Sequence, residues 1–173
     1  MKSLPLKVII TGPESSGKTT LARQLATVFA EPWVPEFARD YINTLDRKYQ
    51  ETDLLEIARG QIKREEEYTK EANQLLICDT GLEVLKIWSE YRFGRCHPWI
   101  LEQLEKKRPE LYLLCAPDIP WEYDPQRENP DDRQELFEIY RKELSGQNVQ
   151  EVSGSRQQRL ATAQEAAQQF LKP

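Results

Sequence analysis

Apolar positions along the chain fall into two rhythms. Residues 6–11, 75–78 and 111–115 are short runs dominated by Leu, Ile, Val and Cys, the pattern of parallel strands covered on both faces. Residues 149–153 give a shorter strand, and Pro32-Trp33-Val34-Pro35 a weak one, because proline confines it to an edge or a strand end. Between these runs the period becomes helical. Residues 20–29 set Leu21, Leu25, Val28 and Phe29 at helical spacing. Residues 53–72 open on Asp53 as a cap and bury Leu54, Ile57, Ala58 and Ile62, whereas 63–71 are mostly charged and read as solvated. Residues 82–91 are apolar nearly all round and should lie deep. Residues 98–107 begin with proline, a favoured first-turn residue, and stop before Pro109. Helices over 131–144 and 156–171 complete the set, the last with Leu160, Ala163, Ala167, Phe170 and Leu171 inward.

Strands alternating with helices predict an α/β fold: a five-stranded parallel sheet with right-handed crossovers, in one domain over residues 1–173. Ligands of such sheets lie outside the carboxyl ends of the strands. That rule selects the loop at Gly12, Glu36, Asp79 and the segments after Cys115 and Ser153. The longest irregular segment, 117–133, holds Pro117, Pro120, Pro125 and Pro130, and a loop of that length is commonly a lid.

Composition then removes function classes. The net charge of −5 argues against a general nucleic-acid binder, which needs a basic face. Apolar runs fall far short of the ~20 residues of a membrane span. Residues 1–5 run straight into the first strand, leaving no room for a signal peptide. Cys78, Cys96 and Cys115 have no paired spacing, and two of them fall in predicted strands, so reduced thiols in a cytoplasmic protein are expected. His97, the single histidine, reads as a loop or helix-start residue. No Cys/His spacing suggests a metal site, which leaves phosphate-bound Mg²⁺ as the implied ion.

The chemistry concentrates in Gly12-Pro13-Glu14-Ser15-Ser16-Gly17-Lys18-Thr19, a G-x-x-x-x-G-K-[ST] loop between a strand and a helix. Its glycines let successive N–H groups converge on phosphate oxygens, and the helix N-terminus adds partial positive charge. Lys18 is expected to reach the β- and γ-phosphates, and Thr19 to place its hydroxyl on Mg²⁺. Asp79, after the third strand, occupies the place of the acid that holds Mg²⁺ or its water; a helix cap is the plain alternative. Glu36, Arg39 and Asp40 share a face of any helix that starts near Glu36. Phosphoryl transfer to a hydroxyl needs an acid that orients the acceptor and takes its proton, and Glu36 or Asp40 can supply it, with Arg39 balancing charge. Arg127 and Arg133, on the proline-rich segment, can close over a triphosphate; the alternative is a solvated loop with locally paired arginines. Arg156 and Arg159 follow the fifth strand, where a purine can stack. Trp121 is a stacking candidate for a planar base, Trp88 reads as core, and Gln61 is a further acceptor-binding candidate. The guanine-reading Asn-Lys-x-Asp motif is absent, which favours ATP.

Together these residues resemble a known family. Residues 12–21 (GPESSGKTTL), 36–41 (EFARDY) and 78–80 (CDT) are similar to the ribosylnicotinamide kinase domain of NadR. Ile87-Trp88, Tyr91, Phe93-Gly94, Asp118-Ile119-Pro120-Trp121-Glu122 and Asp124-Pro125-Gln126-Arg127 extend the likeness over most of the chain. The resemblance implies a three-layer P-loop fold of the nucleoside- and nucleotide-kinase type with a lid at about 117–133. It also implies transfer of the γ-phosphate of ATP, with Mg²⁺, to the 5′-hydroxyl of nicotinamide riboside. Gly12, Glu14, Ser15, Ser16, Gly17, Lys18, Thr19, Thr20, Arg127 and Arg156 would then bind the nucleotide. The adenylyltransferase and repressor domains that accompany this domain in NadR have no counterpart in 173 residues. Two other readings stay open: a nucleotide-dependent switch, and a kinase for another small acceptor.

Overall fold

A computed structural model describes residues 3–171; Met1, Lys2, Lys172 and Pro173, which belong to the expected domain and, for the first two, to the signal-peptide reading, lie outside the described residues. The chain alternates β1 (Leu6–Thr11), α1 (Lys18–Phe29), β2 (Trp33–Val34), α2 (Phe37–Asn43), α3 (Glu51–Thr69), β3 (Leu75–Asp79), α4 (Leu82–Phe93), α5 (Pro98–Lys106), β4 (Leu111–Cys115), α6 (Arg133–Glu143), β5 (Val149–Val152) and α7 (Arg156–Leu171). The five strands form one parallel sheet in the order β2-β3-β1-β4-β5. As expected for a proline-flanked pair, β2 is a two-residue edge strand.

Alternation along β1 sorts the core. Val8 and Ile10 pack with Leu21, Leu25, Ala163 and Ala167 of α1 and α7. Ile9 faces the opposite layer with Val34, Cys78 and Tyr112. The sheet is therefore covered on both faces, which is why its central strands β3 and β4 are buried throughout. Register does the functional placement. Ile10 stands opposite Asp79, so the acid at the end of β3 emerges beside the start of the glycine loop.

Several boundaries move for physical reasons. Helix α1 begins at Lys18 because Gly17 adopts a left-handed conformation (φ 83°) that turns the loop straight into the helix. Helix α3 begins at Glu51, not Asp53: Gln50 is the cap and Asp53 the third residue of a capping box. The expected solvated half of α3 is not all solvated, since Glu65 is buried and ion-paired with Lys7 of β1. Helix α4 runs on to Phe93 and stops at Gly94 (φ 73°), and α6 starts at Arg133 behind Asp132. Cys78 and Cys115 are buried free thiols, and His97 caps α5 by accepting from the Trp99 N–H. One close approach matters for the site: a Cβ at Gly60 of α3 would meet the Phe37 ring of α2 at 2.0 Å. No helix among the described residues is long and apolar enough to cross a membrane.

Candidate active site

At the carboxyl edge of the sheet lies a cleft of about 480 Å³, within the range of small-molecule sites. One half is the loop Gly12–Thr19. Gly12 has φ +136°, and a Cβ there would meet the Cys115 carbonyl oxygen at 2.6 Å, so only glycine fits beside β4. Ser15 sits in the left-handed region (φ 55°), and the Ser16 hydroxyl donates to the Pro13 carbonyl at 2.7 Å. No side chain caps α1, which leaves its first-turn N–H groups directed at the cleft. Lys18 Nζ donates to the carbonyls of Gly12 and Pro13, both at 2.9 Å, and so lies across the loop.

The Thr19 hydroxyl donates to Asp79 Oδ2 at 2.6 Å. Asp79 Oδ1 is buried with no partner among the described residues. Burial raises the Asp79 carboxyl against the opposing pull of the Thr19 hydrogen bond and of Lys18. A hydroxyl and a carboxylate with an unpartnered oxygen are the hard donors that Mg²⁺ takes, together with phosphate oxygens, so this pair fits that ion.

The other half of the cleft comes from α2, α4 and α6. Glu36 is the cap residue of α2, yet its carboxylate makes no capping bond. Gln61 Oε1 accepts the Phe37 N–H instead, at 3.0 Å. That substitution frees the Glu36 side chain to line the cleft, and it removes Gln61 from the acceptor-binding candidates, since its oxygen is committed to α2. Burial and the neighbouring Asp79 raise the Glu36 carboxyl, while Lys18 and Arg39 pull it down. Such a carboxylate is more basic than an ordinary one.

Asp40 does not join it. Its side chain is 60% exposed and pairs with Arg64 at 2.8 Å, because one helical residue beyond Arg39 turns it to the outer face. Arg39 lines the cleft and donates to Asp124 Oδ2 at 2.6 Å. Trp88 and Tyr91 of α4, with Val84, Ile87 and Tyr140, form an apolar wall of the same cleft. Trp88 packs against the core, as its apolar helix suggested, and lines the cleft as well.

The segment between β4 and α6 folds down over the glycine loop. The Glu122 N–H donates to the Ser15 hydroxyl at 2.9 Å, and Glu14 accepts the N–H groups of Glu128 and Asn129. Arg127 lines the cleft, with Nη1 3.4 Å from the Ser15 hydroxyl. Arg133 lies behind the loop, donating to the carbonyls of Ser15 and Ile119 at 3.1 and 2.9 Å. Trp121 packs against both guanidiniums, at 5.9 and 5.7 Å, which occupies the face proposed for a base. Thr20, Arg156 and Arg159 line the cleft; Arg159 is itself largely buried and bonds the carbonyls of Ser16, Gly154 and Ala116.

Sequence reasoning missed Glu83. It is buried in the first turn of α4, its Oε1 accepting from the Gly81 N–H at 3.2 Å. Its Oε2 and the Thr11 hydroxyl are both buried without a partner among the described residues. Burial pushes Glu83 up to about 7, opposed by the adjacent Thr11 hydroxyl. The signal was present as a lone acid in an otherwise apolar helix start.

The sequence pattern of the AAA domain family matches residues 7–159, from β1 through the phosphate loop to the start of α7. The chain belongs to that family. Its relatives include the trifunctional NAD biosynthesis/regulator protein NadR of Escherichia coli K12, 29% identical over 151 residues, which are 84% of this chain and 37% of that protein. NadR of Salmonella typhimurium LT2 is 31% identical over 121 residues, 68% of this chain and 30% of its own length. The chain therefore spans about a third of the curated relatives it matches. Among solved structures, NadR in complex with NR superposes with a TM-score of 0.75 at 23% identity, covering 98% of this chain and 52% of that one. NadR with NAD and AMP-PNP gives 0.74 at 22%, over 96% and 50%. Thymidylate kinase from Ehrlichia chaffeensis gives 0.62 at 14%, over 98% and 100%. The fold of this AAA domain is that of a NadR-like P-loop kinase domain.

Proposed function

We propose that this chain is an ATP-dependent kinase that phosphorylates the 5′-hydroxyl of nicotinamide riboside. The observation that carries the reading is the meeting, in one cleft, of the phosphate loop with a basic, partly buried carboxylate, Glu36, and the aromatic side chains Trp88, Tyr91 and Tyr140. A switch needs the first of these and has no use for a compartment of its own beside it. NadR has been solved with NR and with AMP-PNP, which supports the same pair of substrates here.

In this reading Lys18 and the loop amides hold the triphosphate. Thr19 and Asp79 would hold Mg²⁺, which would supply neutralisation of phosphate charge. Glu36 accepts the proton of the acceptor hydroxyl as that oxygen bonds to the γ-phosphorus and the bond to the β-phosphate oxygen breaks. Arg39 and Arg127, both on the cleft, balance the charge carried by the transferred group. Arg133 acts from behind by bracing Ser15. Water is kept from the γ-phosphate by the segment folded over the loop.

A nucleoside panel in an ADP-release assay tests the assignment. Nicotinamide riboside should turn over at least tenfold faster than the other nucleosides. Equal rates across the panel would leave a kinase for another acceptor, and ADP release that ignores every nucleoside would favour the switch.

A further inference from the structure

Tyr49 does not line the cleft, yet it touches two parts of it. It lies between α2 and α3, with its ring against Trp88 at 4.8 Å, edge to face, and against Phe93 at 6.3 Å. The Trp88 indole N–H donates to its hydroxyl at 2.9 Å. The Tyr49 hydroxyl in turn donates to Glu128 Oε2, also at 2.9 Å. An indole nitrogen can only donate and a phenol carries one proton, so these two bonds have a fixed direction. Burial and the Glu128 carboxylate push the Tyr49 hydroxyl up to about 12, against the pull of the indole, and the proton that makes the second bond is retained. From Glu128 the path continues through the backbone. Its N–H, and that of Asn129, end on the carboxylate of Glu14 inside the phosphate loop.

We propose that Tyr49 is a positioning residue that sets the aromatic wall and the phosphate loop with one hydrogen-bond chain, Trp88 to Tyr49 to Glu128 to Glu14. Its assignment to substrate positioning rests on the kinase reading above. The indole that lines the cleft is held by a hydroxyl outside it. The same hydroxyl steadies the carboxylate whose backbone closes over Glu14. An acceptor that displaces the indole therefore disturbs the segment that covers the triphosphate, and a well-fitting acceptor leaves it closed.

Tyr49→Phe removes one oxygen and leaves the ring packing in place. The expected result is a rise of about tenfold in KM for nicotinamide riboside with a smaller change in kcat, and severalfold faster amide exchange at Glu128 and Asn129. Glu128→Ala should do the same. Combined with Tyr49→Phe it should add nothing, because groups on one chain are non-additive. Glu128→Gln keeps an oxygen that accepts from Tyr49 and should restore most of the acceptor affinity, which a general loosening of the loop would not do. Multiplicative effects in the double variant, or unchanged amide exchange in Tyr49→Phe, would overturn the chain. Should the wild-type protein phosphorylate no nucleoside, the kinase reading fails, and amide exchange at Glu128 and Asn129 in the single and double variants still decides the chain independently.

Discussion

The two halves of the cleft are built by different means. The phosphate-loop half is one continuous stretch, Gly12–Thr19, whose binding groups are largely backbone N–H and whose shape is fixed by dihedral angles at Gly12, Ser15 and Gly17. The half opposite is assembled from side chains on α2, α4 and α6, each aimed by a partner elsewhere: Glu36 by the bond between Gln61 and Phe37, Arg39 by Asp124, Trp88 by Tyr49. A site written in backbone tolerates change around it and not within it. A site written in side chains depends on residues that never meet the ligand.

Lys18→Ala tests the first half most severely. Loss of the cation should lower kcat roughly 10³-fold, as removal of a preorganised charge-stabilising group does, with the thermal midpoint little changed. Turnover at the wild-type rate would remove the loop from the chemistry. Glu36→Gln tests the second half and should cost roughly 10²-fold, the scale of a lost general base. Here pH sharpens the comparison. Because burial raises the Glu36 carboxyl, the wild-type rate should climb with pH above the ordinary carboxylate range, and the Gln variant should show no such limb. A limb surviving in the variant would assign the titration elsewhere.

Glu83→Gln should affect turnover least and stability most. A carboxyl whose folded pKa lies above its unfolded value holds its proton more tightly when folded. Its contribution is complete below the unfolded value of 4.5 and is lost as pH rises through about 7. Denaturant titrations should show wild type losing on the order of 3 kcal/mol relative to the variant across that window. Parallel pH profiles would mean that Glu83 is ionised in the folded state.

The same division explains what the sequence revealed. The central strands, α7 and the phosphate loop were legible because each depends on local period or on a contiguous motif. The segment between β4 and α6 was legible as irregular and proline-rich, but not its contacts. Asp40 and Glu36 look equivalent in the sequence, and only the exact start of α2 separates the inner from the outer carboxylate. Glu65 reads as one of a charged run until β1 brings Lys7 to it. Trp121 offers an aromatic face in the sequence, and the fold covers it with Arg127 and Arg133. Gln61 points to the right region for a different reason: it takes over the capping role that would otherwise have occupied Glu36. For Asp40, Glu65 and Gln61 the deciding partner lies far along the chain.

The contact of Gly60 with Phe37 carries this dependence to its limit. A single added methyl group at position 60, which does not line the cleft, would drive into the ring of Phe37. Phe37 is the residue whose N–H anchors on Gln61, and Glu36 is bonded directly to it. A chemist seeking to silence this protein without touching the cleft would find a remote lever there: a small group wedged between α2 and α3 would tilt the carboxylate from behind while the phosphate loop kept its grip on nucleotide.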